Sequence, residues 1–146
     1  MGICNRGVIP ISEKSGNVKQ FSILKSDDDK RLVFGWASVS ARFNGGEIVD
    51  WQNDIIKADT LEKAAYDYVL NFGAAGEMHQ RGGVGRLVES VMFTKEKAEA
   101  MGIPEGHMPV GWWVGYYIED DGVWRKIKQG EYSMFSIEGT GRRVEV

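Results

Sequence analysis

Cysteine, histidine, proline and long apolar runs are what this chain has least of. Its 146 residues include one cysteine, Cys4, two histidines and three prolines. A single cysteine excludes an internal disulfide and suits a reducing compartment. One cysteine and two histidines do not make a structural zinc site, so no metal and no cofactor is expected. No apolar run approaches the roughly 18 residues of a membrane span, and no signal-peptide core follows Met1, which argues against a membrane partner. Gly2 lacks the Ser or Thr that a myristoylation signal wants. Basic residues are not in excess either: 18 Lys and Arg stand against 21 Asp and Glu, net −3. That scattered charge provides no electrostatic footprint for nucleic acid.

Glycine is abundant, with 19 residues, and 42% of the chain is hydrophobic. This combination favours tight turns between short strands around one core, and the length fits a single domain. Residues 1–19 are polar and interrupted by Gly7, Pro10 and Gly16, which reads as an N-terminal arm, partly ordered. Residues 20–146 read as the domain.

In chain order, QFSILK (20–25) reads as a strand and SDDDK (26–30) as its turn. RLVFGWASVS (31–40) follows as a strand, with Leu32, Phe34 and Trp36 on one side and Val33, Ala37 and Val39 on the other. Apolar residues on both sides predict a wall covered twice, as in a barrel clad by helices. Asp59 with Glu62 three residues on predicts a helix N-terminus. Leu61, Ala65, Tyr68 and Phe72 then recur at helical spacing, and Gly73 supplies the stop. GRLVESVMF (85–93) alternates as a strand, which places Glu89 on the apolar side of Leu87, Val91 and Phe93. A carboxylate there needs a partner, such as Arg86 or Arg125, or an open cleft. Thr94 predicts the cap of a short helix, KEKAEAM. VGWWVGYYIE (110–119) reads as an aromatic strand, and Asp120, Asp121 and Gly122 as a hairpin turn into VWRKIKQG. The sum is an α+β domain, β-rich, with a barrel-like antiparallel core of about seven strands clad by two or more helices.

Chemistry points to GEYSMFSIEG (130–139), with Ser136 at its centre. Alone, a serine between Phe135 and Ile137 is an ordinary strand residue bonded to a neighbouring carbonyl. A histidine near it would permit acyl transfer, because imidazole takes the hydroxyl proton and returns it to the leaving amine. His79 lies in the glycine-rich loop AAGEMHQRGG beside Glu77, the kind of segment that carries function. His107, in a loop flanked by glycine and proline, is the weaker candidate. Glu89 is placed to orient the imidazole, and Arg142 and Arg143 to support an oxyanion; the plain reading of the arginines is a solvated terminal strand. Ser90 competes with Ser136, and the pattern alone does not rank the two serines.

The ordered pieces RLVFGWASV, the Asp50–Asp54 segment, GEMH, RLVESVMF, GWWVG and WRKIKQGEYSMFSIEG resemble the phage prohead serine proteases, in their XkdF-like branch. The resemblance covers residues 20–141 or so. It implies a fold similar to the herpesvirus assemblin-type capsid proteases, with a histidine and a serine as the working pair. The family's serine lies some tens of residues after its histidine. Ser136 follows His79 by 57 residues and Ser90 by 11, which favours Ser136. In the family a glycine follows the serine by two residues, whereas Gly139 is one further here. For the third member the resemblance leaves Glu89 first, then Asp54 and Glu138. The implied activity is endoproteolysis of scaffold and major capsid protein, and of the protease itself, inside the assembling prohead in the host-cell cytoplasm. Assemblin-type relatives act as dimers, so a homo-oligomer is also implied.

A reading of a different class is a catalytically inactive capsid- or scaffold-binding domain of the same fold. Its motive is the aromatic strand, where Trp112, Trp113, Tyr116 and Tyr117 would supply an interface. The plain reading of that strand is core, since Trp112 and Trp113 face opposite sides.

Overall fold

A computed structural model of the chain describes residues 2–4, 23–27, 30–42, 46–48, 55–72, 74–77, 81–132 and 134–136. In chain order the elements are β1 (Gly2–Cys4), β2 (Ile23–Asp27), β3 (Leu32–Ala41), α1 (Ala58–Asn71), β4 (Ala74–Glu77) and β5 (Arg81–Phe93). They continue with α2 (Lys95–Ala100), β6 (Val110–Ile118), α3 (Asp121–Lys128) and β7 (Met134–Ser136). The strands form one seven-stranded sheet in the order β2-β3-β6-β5-β4-β1-β7.

The α+β class and the presence of covering helices agree with the sequence reading. The strand count of seven agrees as well, but the barrel-like, all-antiparallel arrangement does not. Among the described residues the sheet is open, with β2 and β7 at its ends, and β1 runs parallel to β4. The sheet nevertheless curls, bringing Cα atoms of β7 within 8 Å of β3.

The body of the molecule is the antiparallel unit β3–β6–β5. One side faces α1 and carries Val33, Met92, Trp112, Val114, Tyr116 and Ile118, all buried. Helix α1 presents Leu61, Ala65 and Tyr68 to it, while Phe72, the fourth residue of the expected stripe, follows the helix and is exposed. Tyr68 meets Trp112 edge-on at 5.4 Å and accepts a hydrogen bond from the Tyr116 hydroxyl at 2.9 Å. The other side stacks Trp36 edge-on against Phe93 and Trp113. Both sides of β3 are therefore covered, as its sequence predicts. Gly115 is required between them, because a Cβ there would lie 2.7 Å from the Phe34 ring and 3.2 Å from Glu89 Cβ.

Helix ends follow local chemistry with one correction. Thr94 caps α2 as expected, its hydroxyl accepting from the Lys97 amide. Helix α1 has Lys57 as its N-cap, with no side-chain cap, and Asp59 sits in the first turn, where the positive end of the helix dipole stabilises a carboxylate. The expected hairpin at Asp120-Asp121-Gly122 is instead the start of α3. Asp120 accepts from the Val123 amide at 2.9 Å, and Val123 and Ile127, one helical turn apart, are both buried.

Arg31 fastens that corner. Its backbone is left-handed at φ 57°. Its guanidinium donates to Ile118 O at 2.9 Å, Glu119 O at 3.0 Å and Asp121 Oδ1 at 2.6 Å. The three bonds offset the backbone strain and tie the start of β3 to α3, the helix that leads into β7. A second tie holds α2 to α1: Lys97 Nζ donates to Tyr66 OH at 2.5 Å and Glu62 Oε2 at 3.3 Å.

Candidate functional site

Ser136 is the last residue of β7, at one end of the sheet. Its backbone partner on β1 is Gly2, and the partner of Gly2 on β4 is Gly76. Ser136, Gly2 and Gly76 thus stand level across three strands, which spaces Ser136 from Gly76 by roughly two strand separations, about 10 Å. Strand β4 ends at Glu77, which pairs with Arg81 at the start of β5. His79 lies between those paired residues and outside the described ones. Arg142, Arg143, Asp54 and Glu138 also lie outside them.

The structure does not bring Glu89 to this end of the sheet. It stands eight residues beyond Arg81 on β5, roughly 26 Å along the strand. A bulge between Leu87 and Glu89 interrupts the alternation. Leu87 pairs with Tyr116 and Glu89 with Gly115, so the two occupy opposite faces, and Glu89 is exposed. Glu89 keeps the face of Val91 and Phe93, as expected, and only Leu87 is displaced from it; being exposed, the carboxylate needs no buried partner. Arg86, one of its expected partners, pairs instead with Glu119 at 2.8 Å.

Ser90 has structural work: its Oγ accepts the indole N–H of Trp112 at 2.9 Å. With Trp112 only 2% exposed, that acceptor satisfies a donor that burial would otherwise penalise. Much of the aromatic strand is used in the same way, with Trp112 and Tyr116 buried against α1 and Trp113, half-buried, edge-on to Trp36. His107 is exposed, its Nδ1 3.2 Å from Glu105 O.

The perturbed groups cluster in the body. Burial pushes the Tyr116 phenol far up, and the adjacent Tyr68 adds to the rise. Burial also raises Tyr68, partly offset by its bond to Tyr116. Burial pulls Lys97 down, but Tyr66 and Glu62 outweigh it and the net shift is upward.

Sequence reasoning missed Gly2. Nothing in a three-residue stretch of the polar arm signals that it lies beside the candidate nucleophile.

A family model described as "Putative phage serine protease XkdF" matches residues 18–145. The chain belongs to this family. A relative in Bacillus subtilis (strain 168), "Uncharacterized protein YqbD", is 28% identical over 151 residues. The match covers 91% of this chain and 44% of that protein, so the chain spans less than half the relative's length. No solved structure matches. Among the described residues no helix is long and apolar enough to cross a membrane.

Proposed function

We infer that this chain is the serine endopeptidase unit of a phage prohead, with Ser136 as nucleophile and His79 as base. The observation that carries the reading is the level alignment of Ser136, Gly2 and Gly76 in a member of the family. It draws the serine strand to within two strands of the one that runs towards the histidine. In the reaction Ser136 Oγ attacks the scissile carbonyl carbon while His79 accepts the hydroxyl proton. The tetrahedral intermediate collapses, the C–N bond breaks, and His79 returns the proton to the leaving amine. Water then hydrolyses the acyl-enzyme by the same route. Arg142 and Arg143 are proposed to support the developing oxyanion. The orienting carboxylate passes from Glu89 to Asp54 or Glu138, because β5 carries Glu89 away. The proposed substrates are scaffold and major capsid protein, cut inside the assembling prohead in the host-cell cytoplasm, by a self-associating enzyme.

Labelling with a fluorophosphonate serine probe, followed by mapping of the modified peptide, tests this reading. The expected result is an adduct on Ser136 that disappears in His79→Ala. An adduct on Ser90 would keep the protease and overturn the site. No adduct, with or without added scaffold and capsid protein, would leave a catalytically inactive shell domain.

A further inference from the structure

Among the described residues the seven-stranded sheet is continuous through Gly2–Cys4. Among the described residues β7 pairs with β1 and with no other strand, and β1 is also what joins it to β4. The described part of β7, Met134–Ser136, takes its register from β1. Strand β1 runs parallel to β4, and residues 5–22 intervene before β2. Its position is therefore set by tertiary docking and not by the local geometry of a hairpin. The arrangement is that of a strand added to a sheet, where main-chain hydrogen bonds supply the register.

We propose that the Gly2–Cys4 strand is the positioning element of the candidate site. Its docking between β4 and β7 sets the register that holds Ser136 level with Gly76. The strand acts through Ser136 and not on substrate. The proposal rests on the reading of Ser136 as nucleophile, and its test includes readouts independent of that reading.

Ile3 stands between Glu77 and Phe135, so in the full chain Ile3→Pro removes a ladder donor between two neighbours. Hydrogen exchange at 134–136 is expected to accelerate by about tenfold or more, with β3, β5 and β6 unchanged. Fluorophosphonate labelling of Ser136 is expected to fall in parallel, and Ile3→Val to restore both. Unchanged exchange at 134–136 would overturn the proposal, as would equal acceleration throughout the body.

A second variant decides the matter if Ile3→Pro does not fold. Cys4 and Met134 are register partners, and antiparallel partners lie about 4.5–5.5 Å apart at Cα, within disulfide reach. In Met134→Cys, oxidised glutathione is expected to link the introduced thiol to Cys4 within one chain and to slow exchange at 134–136. Failure to form that link in the folded protein would overturn the proposal. If wild type takes up no fluorophosphonate, the protease reading fails, while exchange and cross-linking still decide whether β1 holds β7.

Discussion

Two regions of one sheet are built on opposite plans. Strands β3, β6 and β5 have 10, 9 and 13 residues and carry most of the buried core. The described stretches of β4, β1 and β7, Ala74–Glu77, Gly2–Cys4 and Met134–Ser136, come from distant parts of the chain. Buried side chains hold the first region, and backbone register is what places the described residues of the second. The difference teaches where to look for each property. Burial in the long strands supplies stability, while the short strands bring the candidate nucleophile beside segments far from it in sequence. Functional segments are commonly drawn from the less stable part of a fold.

The sharpest way to separate the two regions is Ser136→Ala. Probe uptake and peptide cleavage should fall roughly a thousandfold or more, with the urea midpoint unmoved. A large shift in that midpoint would mean that β7 belongs energetically to the body.

Gly111→Ala is the converse. A Cβ at 111 would lie 2.7 Å from Ser38 O and 3.0 Å from Val39 Cα, both backbone atoms that cannot swing aside. Stability should drop by about 1–3 kcal/mol in urea titrations, while the folded fraction labels normally. Ser90→Ala should cost about 1–2 kcal/mol by leaving the Trp112 indole without its acceptor. Unaltered labelling in that variant removes Ser90 as nucleophile; lost labelling would transfer the role to it.

The smallest effect concerns the buried phenols. Tyr116→Phe deletes the hydrogen bond to Tyr68 and should cost about 1 kcal/mol at neutral pH. Both phenols are held above their ordinary value of 10.0, so the folded state favours their neutral forms. The stability this confers is complete below pH 10.0, the unfolded value, and is lost as pH rises beyond it. Urea midpoints should therefore decline above about pH 10 in wild type and less steeply in Tyr116→Phe. Equal slopes would mean that ionisation of Tyr116 plays no part.

Legibility in the sequence followed the range of the interaction. The stripe Leu61, Ala65 and Tyr68, the Thr94 cap and the two covered sides of β3 rest on neighbours within a turn or a strand, and each was legible. Asp120-Asp121-Gly122 misled because the same residues begin a hairpin or cap a helix. The spacing of Val123 and Ile127 carried the correct signal. Leu87 misled because alternation assumes an unbroken pleat, and the bulge between Leu87 and Glu89, a tertiary adjustment, puts it on the opposite face. At the candidate site Ser136 could be singled out by residue type and motif order, whereas its neighbour Gly2 could not.

By itself, the sequence determined the α+β class, the apolar stripes of the long strands and of α1, and the motif order that marks the family. These depend on side-chain type and short-range period. Tertiary structure decided the parallel insertion of β1 and the level alignment of Ser136 with Gly2 and Gly76. Backbone hydrogen bonds make those choices, and every residue except proline offers the same donor and acceptor whatever its side chain.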